Sequence, residues 1–213
     1  MRLYLSSFRL GDHPEYFVSL LRTTAPGVVV ANAVDGAPEE ARASMVAAEI
    51  MALAYLGLEA RELDLRDHVG RPDAVRAALA EVGFVWVRGG NTFVLREAMR
   101  RARLEGVLRE ALAKDALVYA GYSAGACVLA PSLRGLERCD PVAEVEQLSA
   151  TPATFDGLGV LDHAIVPHLA TPSHPECAVL TGVAARYDAE GIAYLGLRDG
   201  QALVVDGEHR CVV

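Results

Sequence analysis

The feature that most constrains this chain is residues 116–131, ALVYAGYSAGACVLAP. A short apolar run, Leu117-Val118-Tyr119-Ala120, ends at Gly121, and an alanine-rich segment suited to a helix begins just beyond Ser123. Gly121-Tyr122-Ser123-Ala124-Gly125 fits the G-x-S-x-G elbow, in which a serine sits on a tight turn between a buried strand and a helix. Small residues at both ends let strand and helix approach closely, and the turn projects the hydroxyl from the carboxyl edge of the sheet. The following helix aims free backbone N–H groups and its positive end at the same spot, where they can hold a developing negative charge. The motif alone could also be a glycine-rich turn before a helix, so the rest of the chain must supply the reacting partners.

Short apolar runs alternate with longer periodic ones. Residues 2–6, 28–33, 58–63, 84–87 and 117–120 read as strands, the run 28–33 (VVVANA) suiting a sheet covered on both faces. Glu59, Arg61 and Glu62 interrupt 58–63, as an edge strand would allow. Residues 12–21, 39–56 and 71–81 read as helices, with Pro14, Pro38 and Pro72 at their starts, and 93–114 as one broken or two short helices. Beyond the elbow, 133–159 shows no steady period, 160–166 is a strand ending at Pro167-His168, and Ser173 to Glu176 reads as a capping box opening a helix to Tyr187. Residues 192–197, 202–205 and 210–213 read as strands joined by hairpin turns at Asp199-Gly200 and Asp206-Gly207. The alternation predicts an α/β fold: a three-layer sandwich, mostly parallel, with helices on both faces and antiparallel strands at the C-terminal end. With no repeat and no low-complexity linker, residues 1–213 read as a single domain.

Composition bounds the function. Twenty basic and twenty-eight acidic residues leave a net charge of -8, which repels nucleic acid and anionic membrane surfaces. The first residues, MRLYLSS, carry no secretory signal and no apolar run is long enough to span a bilayer, so the chain reads as cytoplasmic. Cys127, Cys139, Cys177 and Cys211 form no C-x-x-C pair, which points to neither a zinc site nor a disulfide framework. The oligomeric state, monomer or homodimer, stays open.

In a parallel sheet, sites gather at the carboxyl ends of strands. Gly89-Gly90-Asn91, the Ser123 elbow and Pro167-His168 each follow an expected strand. A serine needs a neighbouring base to take its proton, and that base needs an acceptor to fix its tautomer. His168 is the candidate base; His13, His68, His163, His174 and His209 read as structural. Glu137 and Asp140, between Ser123 and His168 in the chain, are both candidates for the acid, while Glu144 and Glu146 read as solvated charges. The length of 132–159 suggests a lid that carries the acid and completes the triad on closing over substrate.

GGNTF (89–93), GYSAGA (121–126) and PHL (167–169), in this order, resemble the peptidase E family, the α-aspartyl dipeptidases related to cyanophycinases. That resemblance implies a fold like class I glutamine amidotransferases, hydrolysis of dipeptides with an N-terminal aspartate, and neither metal nor organic cofactor. It assigns Ser123 as nucleophile, His168 as base, the N–H groups of Gly90 and Ala124 as oxyanion hole, and Glu137, with Asp140 as the alternative, as the acid. Asn91 is a substrate-binding candidate. The family's substrate-reading arginine has no clear counterpart, Arg186 being the first arginine after His168. Rival expectations are another serine hydrolase of this fold, such as a cyanophycinase-like peptidase or an esterase, an amidotransferase-like transferase, and a non-catalytic binding module. The transferase is disfavoured because its nucleophile would have to be cysteine, and Cys127 lies within the helix beyond the elbow.

Overall fold

The computed structural model describes residues 1–213. The elements run β1 (Arg2–Ser6), α1 (Glu15–Leu20), β2 (Gly27–Val30), α2 (Glu39–Tyr55), β3 (Ala60–Glu62), α3 (Pro72–Ala80), β4 (Phe84–Val87), α4 (Thr92–Arg101), α5 (Leu104–Ala113), β5 (Val118–Tyr122), α6 (Ala124–Cys127), α7 (Ala143–Ser149), β6 (Ala164–Val166), α8 (Cys177–Glu190), β7 (Tyr194–Gly196), β8 (Ala202–Asp206) and β9 (His209–Val212). The main sheet has seven strands in the order β3-β2-β4-β5-β1-β8-β9. Its first five are parallel, whereas β8 runs antiparallel to β1 and pairs with β9 as a hairpin.

Because side chains alternate across a strand, the two faces of this sheet feed separate apolar clusters. Leu3, Leu5, Val85, Val87 and Tyr119 point into the larger cluster, with residues of α3, α4, α5, α6 and α8. Tyr4, Phe84, Trp86, Val118 and Ala120 point the other way, beneath Phe17 of α1 and Val46 and Leu53 of α2. Strands buried on both sides carry no alternation, hence the unbroken GVVV of β2 and FVWV of β4. The charged strand β3 does lie at the sheet edge.

Two local expectations fail, and the segment without a steady period is structured. Residues 160–166 and 192–197 do not extend the main sheet; β6 and β7 form a separate parallel pair, in which Val166 faces Gly196. Asp199-Gly200 is therefore a link from β7 back to β8, not a hairpin turn. The segment 132–159 is folded in place, with a 3-10 turn at Leu136–Arg138, helix α7, and Leu133, Leu136, Val145 and Leu158 in the core. Finally, α8 starts at Cys177 and its Glu176 cap makes no side-chain capping bond, so the stretch Ser173 to Glu176 is loop. No helix is long and apolar enough to cross a membrane.

Candidate active site

Ser123 occupies a backbone conformation that non-glycine residues avoid, φ 48° and ψ −116°. Close packing forces the bend. A Cβ on Gly121 would come 2.7 Å from the Val87 carbonyl oxygen, and one on Gly125 would come 2.2 Å from the same atom, so only glycine allows β5 and α6 to turn against β4. The buried Tyr119 hydroxyl donates to the Gly125 carbonyl at 2.6 Å and fixes the helix side of the turn.

His168 follows β6 directly. Its Nε2 stands 3.3 Å from Ser123 Oγ, and its Nδ1 stands 2.6 Å from Oδ1 of Asp199. These contacts assign the tautomer: Nδ1–H donates to the carboxylate, which leaves the Nε2 lone pair facing the serine hydroxyl. Burial pushes the imidazole below its ordinary value; Asp199 opposes that fall and nearby His174 adds to it. The ring is sandwiched as well, stacked on His174 at 3.5 Å and 7° and met edge-on by Phe8 at 5.9 Å.

The carboxylate on His168 is thus Asp199, not Glu137 or Asp140. Parallel pairing of β6 with β7 is the reason, since both strands deliver their ends to one place and Asp199 lies just past the end of β7. Its backbone N–H donates to Thr171 Oγ1 at 2.9 Å. Ser7, at the end of β1 and fully buried, joins the set: its hydroxyl donates to Asp199 Oδ1 at 2.8 Å and accepts the His168 backbone N–H at 2.8 Å. Glu137 instead bonds the Gly135 N–H and faces Arg186 at 3.6 Å. Arg186 also pairs with Glu190 at 2.7 Å, and neither Arg186 nor Glu137 lines the cleft over Ser123.

Beside the elbow, Gly90 has φ 145°, and a Cβ there would lie 2.5 Å from the Ala33 carbonyl oxygen. Its N–H has no acceptor within the protein. Ala124 opens α6, so its N–H is among those a helix start leaves free. Asn91 does not offer its amide to the cleft. Oδ1 caps α4 through the Phe93 and Val94 N–H groups, and Nδ2 donates to the Pro141 carbonyl and Glu144.

The cleft over Ser123 encloses about 410 Å³. Through Phe8, Arg9, Arg88 and Tyr122 it joins an open groove of about 1090 Å³ along α2. Arg9 and Arg88 are its guanidinium groups. Arg88 is anchored: Nη1 donates to the Gly89 carbonyl at 2.7 Å and Nε lies 3.2 Å from Glu49. Glu49 in turn accepts from the Trp86 indole at 2.8 Å and the Tyr122 hydroxyl at 2.7 Å. Asp140 lines the same cleft, and burial, with Glu176 and Glu144 nearby, pushes its carboxyl up to about 6 against the hydrogen bonds from Thr92.

This geometry can be set beside known proteins. Residues 36–213 match the model of peptidase family S51. The chain belongs to that family. Among its relatives, a peptidase E of Shewanella sp. (strain W3-18-1) is 30% identical over 175 residues, covering 81% of this chain and 69% of that protein. An uncharacterized peptidase of Listeria innocua is 33% identical over 117 residues, covering 55% of this chain and 53% of that one. The chain therefore spans about half the length of this Listeria relative. A crystal structure of a Listeria monocytogenes EGD-e protein, provisionally named a peptidase E, superimposes with a TM-score of 0.80 at 22% identity, covering 100% of this chain and 97% of that one. At that identity the likeness concerns the fold. Its relatives carry peptidase names, and the site described above is where a matching chemistry has to be sought in this chain.

Proposed function

We propose that this S51 peptidase is a serine-type dipeptidase that cleaves after an N-terminal aspartate through an acyl-enzyme, with Ser123 as nucleophile, His168 as general base and Asp199 as the acid that orients it. The observation that carries this reading is the unbroken hydrogen-bond line from Ser123 through His168 to Asp199. Neutral His168 takes the hydroxyl proton as Ser123 Oγ attacks the peptide carbonyl, and Asp199 steadies the imidazolium that forms. The free N–H groups of Gly90 and Ala124 would receive the oxyanion, a contribution in which one donor is worth on the order of 10² to 10³ in rate. His168 then hands its proton to the leaving amine. Water, deprotonated by the same nitrogen, releases the acyl group and restores Ser123.

The aspartate preference follows from the family resemblance and needs a cation in the cleft. Arg88 and Arg9 supply it in place of Arg186, Arg88 being pre-oriented by Glu49 and the Gly89 carbonyl. The test is a panel of Asp-Xaa, Xaa-Asp and β-aspartyl dipeptides with simple esters, run on the wild type and on Ser123→Ala. Hydrolysis of Asp-Xaa that disappears in Ser123→Ala, together with fluorophosphonate labelling confined to Ser123, is the expected result. Retained turnover in a folded Ser123→Ala protein would overturn the nucleophile, and ester cleavage without dipeptide cleavage would overturn the substrate class.

A further inference from the structure

Asp140 and Glu176 line the cleft with Glu144 close to Asp140, and no basic side chain pairs with any of the three. Asp140 is 8% exposed, and its Oδ2 accepts the Thr92 N–H at 2.9 Å. The Thr92 side chain also bonds this carboxyl, but no cation of the protein pairs with it where it lines the cleft. Glu176 lines the same cleft and forms no ion pair, and Glu144 behind it is met by the uncharged Asn91 amide. Neither guanidinium of the cleft reaches this wall in an ion pair: Arg88 is committed to Glu49 and the Gly89 carbonyl, and Arg9 lies over the Phe8 ring. A carboxylate held this deep without an ion pair is costly unless a cation arrives.

We infer that Asp140, assisted by Glu176, is the receptor for the free ammonium group of the substrate, so that the enzyme reads the amino terminus of a peptide. This rests on the peptidase reading above and adds the groups that enforce it. An ammonium offers three donors on a compact charge, and it suits a buried, already partly bonded carboxylate better than a guanidinium fork does. A metal ion fits poorly. The carboxylates of this wall do not converge as a ligand set, and the triplet that does, His168, His174 and Asp199, has its two rings stacked face to face at 7°. In-plane lone pairs of stacked rings run side by side instead of meeting at one point. Asp140 thereby acquires a role distinct from the triad place that its position in the chain suggested.

Binding in a non-turning-over background separates this claim from the chemistry. Ser123→Ala protein is titrated by calorimetry with Asp-Leu and Ala-Leu, each with a free amino group and N-acetylated. The free forms are expected to bind about 10- to 10²-fold tighter than the acetylated ones, the scale of a charged hydrogen bond. In Ser123→Ala/Asp140→Asn that ratio falls to near one, and in Ser123→Ala/Glu176→Gln it falls about 2- to 5-fold. Melting temperatures of both double variants verify that they are folded. Equal affinity for free and acetylated peptides, no measurable binding of either, or a ratio that survives Asp140→Asn would each overturn the inference. Wild-type turnover of N-acetylated peptides through Ser123 would overturn it while leaving the serine peptidase intact. Asp140-dependent binding without any turnover would keep the subsite and remove the reaction.

Discussion

If Asp140 is held as an uncompensated carboxylate, the protein gives up stability at neutral pH, and Asp140→Asn should recover it. Asparagine keeps the shape and an oxygen for the Thr92 N–H, so the main change is loss of the charge. The folded-state value is raised from 3.8 to about 6, a difference that corresponds to about 3 kcal/mol. Because the folded protein holds the proton more tightly than the unfolded chain, stability falls as pH rises from about 4 to about 6, and the whole penalty is in force above that window. At pH 8 the variant should therefore be more stable by about 2–3 kcal/mol, or roughly 5–10 °C in melting temperature for a chain of this size. At pH 4 the wild-type carboxyl is protonated when folded, and the advantage should shrink below about 1 kcal/mol. Urea unfolding of both proteins across pH 4 to 8 measures the gap directly. A variant equally or less stable at pH 8, or a gap that stays constant with pH, would refute the reasoning, since either means that the charge is already well solvated or paired. A dipeptide with a free amino group should close part of the gap by supplying the missing cation to the wild type alone.

Other consequences are as direct. Because burial lowers the His168 value below its ordinary 6.5, the acid limb of kcat/KM, which reports the free enzyme, should have its midpoint below that value; a midpoint above it, read from pH–rate profiles, would contradict the site geometry. Ser7→Ala removes both the bond that seats the His168 backbone and the donor to Asp199, and kcat should drop on the order of 10- to 10²-fold with KM nearly unchanged; an unchanged kcat would remove Ser7 from the positioning set. Asp199→Asn should reduce turnover by on the order of 10³ or more while Glu137→Gln leaves it near wild type, and the reverse order in steady-state kinetics would restore Glu137 as the acid. Glu49→Ala strands the Trp86 indole, the Tyr122 hydroxyl and Arg88 together, and should cost about 3–5 kcal/mol in denaturant unfolding.

The parts of this molecule that could be read from the chain are those in which local chemistry and tertiary role coincide. The GVVV and FVWV runs are continuous because their strands are covered on both faces, and Pro38 and Pro72 mark helix starts because a missing N–H does no harm there. Gly121 and Gly125 are required by the approach of Val87, and that steric demand is what makes an elbow recognisable in sequence. His168 was accessible by the same logic, as a polar residue just past an apolar strand.

Asp199 was hidden because its dipeptide carries another meaning. Asp-Gly between apolar strands is strong hairpin chemistry, and nothing local distinguishes a turn that returns to the neighbouring strand from a link that leaves one sheet for another. The distinction depends on β7 pairing with β6 in parallel, a contact between segments far apart in the chain. Ser7 was hidden for a related reason: the C-terminal strand β8 brings the Asp199 link up to the end of β1, so a serine near the start of the chain bonds a carboxylate near its finish. Glu137 and Arg186, which the chain offered as acid and substrate reader, face each other away from the cleft. The candidate site is consequently assembled from the ends of β1, β5, β6 and β7, only one of which announces itself by a motif. Moving Asp199 by even a short register slip of β7 would uncouple the imidazole from its acceptor while leaving the elbow whole, so in this chain the G-x-S-x-G alone is weaker evidence of a working site than the carboxylate just past the strand that pairs with β6.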